Sequence, residues 1–566
     1  MTAVPAMTAA AELVGTLIGH GVTDFVVSPG ARSQALALTV AALAESGDVR
    51  LHVRLDERVA AFVALGLAVE SGLPAPLITT SGSAVANLLP AIVEAHHAGI
   101  PMIALTADRP ARLRGTGANQ TTIQPGMFGS FVKREFDVSP PESGSPDEDY
   151  ARRATEAFHF ATTGTPGPVH VNLQFGEPLS SAADETVISR ARAARESAAD
   201  SHVEPSTLGK ATGNPDVEIS AGERTLVIAG ADAGSQAENL AHAGGWPLIA
   251  EVTSGARFGR NLIVHYRPAL EESALGGAVE RVIVFGHPTL SRQVPALLER
   301  PGVNVIRVER GEDVRLVESV AAGSQDAQQP SPEWLRSWQR WDRRAQAEQE
   351  ATLAQTSPAA RAPAVGTARS RSAKDQRDFV TAEVAAARAP VTRELLVLAV
   401  WRATWPHDRL VFGASRLIRV ADASLPGKKI SVHANRGLSG IDGNIGTAVG
   451  IALAAQPALT RILLGDVAAL HDAGSMIFPT GETRPRIQVI VGNDGGGSIF
   501  DELEVAHTST GTAFDRVMFT PHQADFGQLA LAFGWRFIRV VSMSELESAL
   551  IGAGDGPELI EVVLER

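Results

Sequence analysis

Runs of four to seven apolar residues recur along this chain, each closed by Gly, Pro or a hydroxyl residue and followed by a stretch of helical spacing. Strands covered by helices on both faces read this way, because neither face has to be polar. The pattern therefore favours α/β layers over a sandwich or a helix bundle. Strands are predicted at Phe25–Ser28, Pro76–Thr80 and Met102–Asp108, and again at Arg409–Gly413, Arg461–Gly465, Ile487–Val491, Trp535–Val540 and Leu559–Leu564.

A chain of 566 residues exceeds what one core organises, and domains of about 150 to 200 residues are the simplest division. Residues 1–190 form the first unit and the charged, Ser-rich 191–218 a linker. The second unit, 219–325, holds TLVIAGADAG, WPLIAEV, RVIVFG and VNVIRV at βαβ spacing, a Rossmann-like core. Gly230 and Gly234 do not complete a dinucleotide fingerprint, so no nucleotide is assigned there. Residues 326–389 are a helical and partly flexible connection, with Trp334, Trp338 and Trp341 near one helix face. The last unit is 390–566.

The formal net charge of −13 argues against nucleic acid or an anionic membrane as partner. Without cysteine, thiolate chemistry is excluded and any metal needs oxygen or nitrogen ligands. The N-terminus lacks a signal-peptide pattern and no stretch is long and apolar enough to span a membrane, so a cytoplasmic location is expected. LDERVAAFVALGLAVESG and SGIDGNIGTAVGIALAAQ echo each other, each an acid-bearing turn before a small-residue helix. Two related domains would explain the echo; so would chance likeness between buried Ala/Gly helices. The helix over Val59–Val69 is apolar nearly all round and should be buried, with another subunit as one candidate cover.

The most informative local pattern is RILLGDVAALHD followed by IQVIVGNDGGGSIF. One strand ends at Gly465 and presents Asp466; twenty-five residues lie between Val467 and Asn493, which closes a second strand. Asp466, Asn493 and the carbonyl of Gly495 make an oxygen set suited to Mg²⁺. The Gly495–Gly497 run permits close backbone approach to a phosphate. Ordinary strand-end turns also use Asp, Asn and Gly, and the paired order and spacing are what set this pattern apart.

This pair of segments resembles the metal motif of thiamine-diphosphate enzymes. The resemblance implies a three-domain architecture, two related cofactor-binding domains, pyrimidine-binding and diphosphate-binding, on either side of the Rossmann-like one in sequence. It also implies thiamine diphosphate as cofactor, Mg²⁺ with Mn²⁺ as substitute, and metal ligation by Asp466, Asn493 and Gly495. Glu57, in HVRLDERVAAF, matches the acid that activates the aminopyrimidine ring, and enclosure against the following helix is expected to raise its pKa. Ile441 resembles the residue that holds the two cofactor rings bent, and Ser83 and Phe500 fall among the cofactor-binding positions. Gly492 stands where an Asn is usual and Val467 where a Gly is.

Longer segments narrow the likeness. FVVSPGARSQAL, TTSGSAVANLLPAIVEAHHAGIPMIALTADRP, GANQTTIQPGMF, VHANRGLSGIDG, GDVAALHD and NDGGGSIF resemble, in order and density, the MenD family of 2-succinyl-5-enolpyruvyl-6-hydroxy-3-cyclohexene-1-carboxylate synthases. That likeness implies decarboxylation of 2-oxoglutarate and addition of the remaining four-carbon unit to isochorismate, in a homodimer or homotetramer with active sites between subunits. It places substrate roles on Arg32, Arg109, Asn119, Gln120, Arg292, Arg419 and Arg436, with Gln120 and Arg32 also catalytic and Ser33 shaping the pocket. Two dicarboxylate substrates need several cations, and guanidinium groups grip carboxylates bidentately. Ala31 replaces a usual Ser, Arg416 adds a cation, and Ser498 extends the Gly-rich turn. No His is a compelling base: His96 and His97 read as structural, while His433 and His471 border motifs. A decarboxylase or carboligase related to acetolactate synthase, and a catalytically silent partner, are the competing readings.

Overall fold

The computed structural model of the chain describes residues 4–141, 149–182, 185–200, 217–220, 224–312, 314–317, 332–361, 369–370, 372–509 and 511–566. Two compact units emerge. One takes Met1–Ala211, Asn435–Thr460 and Leu470–Arg486; the other takes Thr212–Ala434, Arg461–Ala469 and Ile487–Arg566.

The first unit contains a six-stranded sheet of β1 (Asp24–Val27), β2 (Arg50–Val53), β3 (Leu77–Thr79), β4 (Met102–Asp108), β5 (Arg134–Val138) and β6 (Pro168–Gln174), in the order β2-β1-β3-β4-β6-β5. All its recorded pairings are parallel. A core of Leu13, Leu17, Phe25, Ile103, Val171 and their neighbours lies under the helix Pro5–Gly19. Residues 191–200, expected as linker, instead continue the helix Glu185–Asp200, because Val187 and Ala191 are buried in that core. A Cβ on Gly15 would lie 2.1 Å from the Ala191 carbonyl oxygen, which shows how closely the two helices cross. The rest of the expected linker, apart from Val217 and Glu218, lies outside the described residues.

The second unit holds two larger layers. The middle sheet comprises β8 (Thr225–Ala229), β9 (Leu248–Ala250), β10 (Arg281–Phe285) and β11 (Asn304–Val308), ordered β11-β10-β8-β9, and β7 (Val217–Ser220) pairs with β12 (Val314–Val317). The order reverses between β8 and β10, where open α/β sheets place ligands. Here Ala231 and His287 form a bridge, and a Cβ on Gly230 would lie 2.0 Å from Pro288 N, so backbone closes that crevice. The Trp-bearing segment is a helix, Pro332–Thr356, with Trp338 buried and Trp334 and Trp341 packed against the same core. Part of the connection after it is also helical, Ala373–Arg388, while 362–368 lie outside the described residues.

The last sheet comprises β13 (Arg409–Phe412), β14 (Ser431–His433), β15 (Thr460–Gly465), β16 (Ile487–Asn493), β17 (Arg536–Val540) and β18 (Glu558–Val563), ordered β14-β13-β15-β16-β18-β17. Counted from its own first strand, this is the order of the first sheet. The internal echo in the sequence is thus a repeated topology. Its two helices, Glu57–Ser71 and Asn444–Ala454, each follow the second strand of their sheet, and both belong to the first unit. They cross there reciprocally: a Cβ on Gly66 would meet Thr447 O at 2.0 Å, and one on Gly450 would meet Val63 O at 2.2 Å. The all-round apolar helix is buried as expected from Val59 to Ala68, and a helix of the same chain contributes to its cover.

Candidate active site

In the first unit the chemistry-bearing residues collect on loops after β1, β2, β3 and β4. Asp56 caps the Glu57–Ser71 helix by accepting from Arg58 N at 2.8 Å and Val59 N at 3.3 Å, which puts Glu57 at the first helical position. Glu57 is half-buried, and Asn87 Nδ2 donates to its Oε2 at 3.2 Å. Thr80 Oγ1 joins three loops, accepting from Arg32 N at 3.2 Å and Gln120 Nε2 at 3.4 Å. Gln120 sits at φ 53°, a left-handed conformation that is uncommon for a residue with a side chain. It is pinned there by Gln120 Nε2 donating to Ser81 O at 3.0 Å and Ser81 Oγ donating to Gln120 O at 2.8 Å. Arg109 donates to Asn119 O at 2.9 Å, and Arg32 pairs with exposed Glu177 at 3.0 Å. Ser83 is exposed at the start of a short helix, Ser83–Ala86, and Ser33 is buried, donating to Gly30 O.

Beneath these loops lies a polar network the motifs did not single out. Buried Gln124 accepts from Gly82 N at 2.9 Å and donates to Asn172 Oδ1 at 2.7 Å. Asn172 donates to Asp108 and Asp137, and Arg114 bridges the same two carboxylates. Against its partial burial, hydrogen bonds from Arg114, Asn172 and Gln174 hold Asp137 below its ordinary carboxylate range. Each of these side chains is hydrogen-bonded, while the buried Nε of Arg114 has no partner among the described residues.

The loop bearing Arg436 and Ile441 belongs to the same unit. Buried Glu94 accepts from Gly437 N and Leu438 N, both at 2.7 Å, and a Cβ on Gly437 would lie 2.7 Å from Glu94 O. Arg436 is buried beside Glu94, whereas Ile441 is partly exposed. His96 and His97 pack edge-on 5.1 Å apart, with Phe131 against both, a structural arrangement. His471 offers its carbonyl to Arg58 at 3.1 Å.

In the second unit β15 and β16 are neighbours, and their carboxyl ends bring Asp466, Asn493 and Gly495 to the same edge of the sheet. Asp466 is 2% exposed, accepts from Val467 N at 2.7 Å and contacts His522 Nε2 at 3.1 Å through Oδ2. Burial and the neighbouring Asp494 push its pKa above the ordinary value. Asn493 donates to Glu561 at 2.7 Å and accepts from Gly495 N at 3.1 Å. Gly495 has φ 81°, which only glycine adopts freely, and a Cβ on Gly496 would lie 2.4 Å from Phe519 O. One buried acid, Asp466, beside the neutral oxygens of Asn493 and Gly495 suits a hard divalent cation, so the residues fit Mg²⁺. Among the described residues no three His, Asp or Glu side chains form a metal cluster, in keeping with a set built on one carboxylate. His522 and Asp494 were missed in the sequence because neither lies in a strand-end motif position with a ligand role.

The arginines of this unit are spread over different elements. Arg419 is exposed on the helix Arg416–Ser424, Arg416 of the same helix pairs with Glu502, and Arg292 faces Glu504 at 3.6 Å on the surface. Phe500 is half-buried in a 3₁₀ turn, Ser498–Glu502.

Comparison with known proteins supplies the framework for these pieces. Residues 7–127 match the family model of the thiamine pyrophosphate enzyme N-terminal TPP binding domain. A 2-succinyl-5-enolpyruvyl-6-hydroxy-3-cyclohexene-1-carboxylate synthase of Leifsonia xyli subsp. xyli is 49% identical over 99% of this chain and 97% of its own. Proteins of that name from Clavibacter michiganensis subsp. michiganensis and a Nocardioides strain are 50% and 39% identical, over 99% and 98% of this chain and 97% and 95% of theirs. The chain belongs to the 2-succinyl-5-enolpyruvyl-6-hydroxy-3-cyclohexene-1-carboxylate synthase family.

The structure gives this synthase-family chain a reason for two of its departures from the generic motif. A Cβ on Gly492 would approach Leu564 Cδ1 at 2.9 Å and Leu417 Cδ1 at 3.0 Å, so a larger residue there would have to displace both leucines. Ser498, which extends the Gly-rich turn, donates to Asp494, and Arg393 pairs with the same carboxylate at 2.6 Å. Nothing in the structure explains Ala31, which is exposed.

Proposed function

We propose that this chain is a thiamine diphosphate- and Mg²⁺-dependent synthase of menaquinone biosynthesis, with Mn²⁺ as an alternative metal. It decarboxylates 2-oxoglutarate and joins the four-carbon remainder to isochorismate by 1,4-addition, giving 2-succinyl-5-enolpyruvyl-6-hydroxy-3-cyclohexene-1-carboxylate and CO₂. Kinship with synthases of that name over nearly the whole chain carries the reading. The domains are a pyrimidine-binding one over 1–190, a middle one over 219–325 and a diphosphate-binding one over 390–566, in a cytoplasmic homodimer or homotetramer.

Bound thiamine diphosphate supplies the electron sink for the pair left when the carboxylate departs. Asp466, the side-chain oxygen of Asn493 and the Gly495 carbonyl would hold the metal. Glu57 shares a proton with the aminopyrimidine ring nitrogen, and Asn87 steadies its other edge. Ser83, Ile441 and Phe500 line the cofactor's surroundings. Arg419 receives the distal carboxylate of 2-oxoglutarate. Arg32, Arg109, Arg292 and Arg436 take the remaining carboxylates, and Asn119 and Gln120 orient polar groups or water. The Glu177 partner of Arg32 is mostly exposed, so exchanging that weak surface pair for a substrate carboxylate costs little.

The test combines purified protein, Mg²⁺, thiamine diphosphate and 2-oxoglutarate, with and without isochorismate, while CO₂ and the coupled product are followed by mass spectrometry. Coupled product that requires isochorismate is the expected result. Efficient coupling only to another acceptor would reject the substrate assignment.

A further inference from the structure

The middle layer closes its own ligand crevice, yet it is tied to the last layer by a buried ionic cluster within the second unit. Asp422, 0% exposed on the helix Arg416–Ser424, accepts from Val252 N at 3.0 Å, Tyr266 Oη at 2.6 Å and Arg267 at 2.8 Å. Arg257 donates to Asp422 O at 3.0 Å, to Leu425 O at 2.7 Å and to Ala250 O at 2.6 Å, fastening the end of that helix. Arg267 reaches further, donating to Leu290 O at 3.2 Å and Arg419 O at 3.4 Å. Buried Glu251 accepts from Thr289 N at 2.8 Å and Leu290 N at 2.6 Å, fixing the loop that leads to Arg292. The two guanidinium groups and two carboxylates balance in charge, and burial beside Asp422 holds the Tyr266 phenol well above its ordinary pKa, so its hydroxyl stays a donor.

The segments that meet at this cluster are the two that carry Arg292 and Arg419, and Arg267 touches both. We propose that Arg267, with Asp422 and Tyr266, is a positioning group through which the middle layer sets Arg419 and Arg292 to receive a substrate bearing a second, distal carboxylate. The inference rests on the assignment of Arg419 to that carboxylate. A half-buried guanidinium that pairs with a fully buried carboxylate and also reaches two backbone carbonyls holds those carbonyls more rigidly than a surface pair would, which is what an otherwise exposed arginine needs to select one carboxylate spacing.

Steady-state kinetics of the holoenzyme with 2-oxoglutarate and with pyruvate, which lacks the distal carboxylate, provide the test. Arg267→Lys should raise the KM for 2-oxoglutarate about tenfold, with kcat and the pyruvate parameters changed by about twofold or less. Tyr266→Phe, a milder change that keeps the packing, should shift the same KM in the same direction. In an Arg419→Ala background, Arg267→Lys should add only the part that acts through Arg292, less than its effect on the parent. Equal losses on both substrates in both variants, or an effect of Arg267→Lys that adds fully to a selective Arg419→Ala, would overturn the positioning role while leaving the Arg419 assignment standing. Equal losses with 2-oxoglutarate and pyruvate in Arg419→Ala would instead remove that assignment, and the positioning role with it.

Discussion

The first and last sheets share one strand order but use their carboxyl edges differently. At the first edge the loops are tied to one another by neutral groups, Thr80, Ser81, Gln120 and Gln124, and its acid, Glu57, is half-buried with an amide for company. At the last edge buried Asp466 stands among glycines and the Asn493 amide, with Asp494, which Arg393 pairs at 2.6 Å, close by, and Asp466 is pushed up in pKa by its burial and by that neighbour. Under the proposed function the first edge holds and moves a proton and the last holds a cation. A duplicated frame thus fixes where loops emerge, and the loop residues decide the chemistry.

That contrast predicts opposite failures. Glu57→Gln keeps the shape of the first edge and removes its proton-handling group, so C2 hydrogen exchange of bound thiamine diphosphate should fall about 10³-fold while cofactor affinity changes little. Exchange at the ordinary rate, measured by NMR after acid quench, would end the distinction. Asp466→Ala should do the reverse. Mg²⁺-dependent cofactor binding should weaken by at least ~100-fold, because the anionic ligand is lost outright and outer contacts alone are worth ~10- to 100-fold. Titration calorimetry with and without Mg²⁺ reads this directly, and retained metal-dependent affinity would move the metal site elsewhere.

Much of this was legible because strand ends, glycines and a single acid are local signals. The strand runs at Met102–Asp108, Arg409–Gly413 and Ile487–Val491 were found within two residues of their observed limits, since their apolar runs are uninterrupted. β6 escaped notice. In Pro168–Gln174 buried His170, Asn172 and Gln174 alternate with Val169, Val171 and Leu173, and the polar set is satisfied by Thr106, Asp108, Asp137 and Gln124 from distant parts of the chain. Edge strand β5, with Arg134, Glu135 and Asp137, is rich in charge, as edges that must resist further pairing are. His522 beside Asp466, and the Arg267–Asp422 cluster, depend on tertiary contact across 56 and 155 positions, which no window of sequence displays.

The two echoing helices sharpen the comparison at the level of packing. Gly66 faces the carbonyl of Thr447 and Gly450 that of Val63, each glycine lying three positions after the carbonyl its partner meets. Such an approach leaves no room for a methyl group against backbone, which cannot swing aside. Gly66→Ala should lower unfolding free energy by about 3 kcal/mol, and Gly450→Ala by a similar amount. Denaturant unfolding would measure both, and two values near zero would show that the helices part easily and that the reciprocity is not a structural requirement.

Their N-termini differ most subtly, and the difference is one of pH. The Glu57–Ser71 helix is capped by its own exposed Asp56, whereas the Asn444–Ala454 helix begins after Gly443 at φ 65° and takes its cap from the remote, buried Asp472. Asp472 accepts from Ile445 N at 2.7 Å, Gly446 N at 3.0 Å and Ser475 Oγ at 2.8 Å, yet burial raises its pKa to about 6, against those bonds and the nearby Arg58. A native value above the unfolded one, 3.8, means that the folded chain binds more protons between them. Stability from this group is therefore complete below pH 4, falls as pH rises to about 6, and is level beyond. Asp472→Asn keeps an oxygen for the two amides and places an N–H toward the Ser475 hydroxyl. The variant should match the parent near pH 4 and exceed it by about 2 kcal/mol at pH 7. Parallel profiles for Asp472→Asn and the parent would mean that the remote cap is charged at no cost.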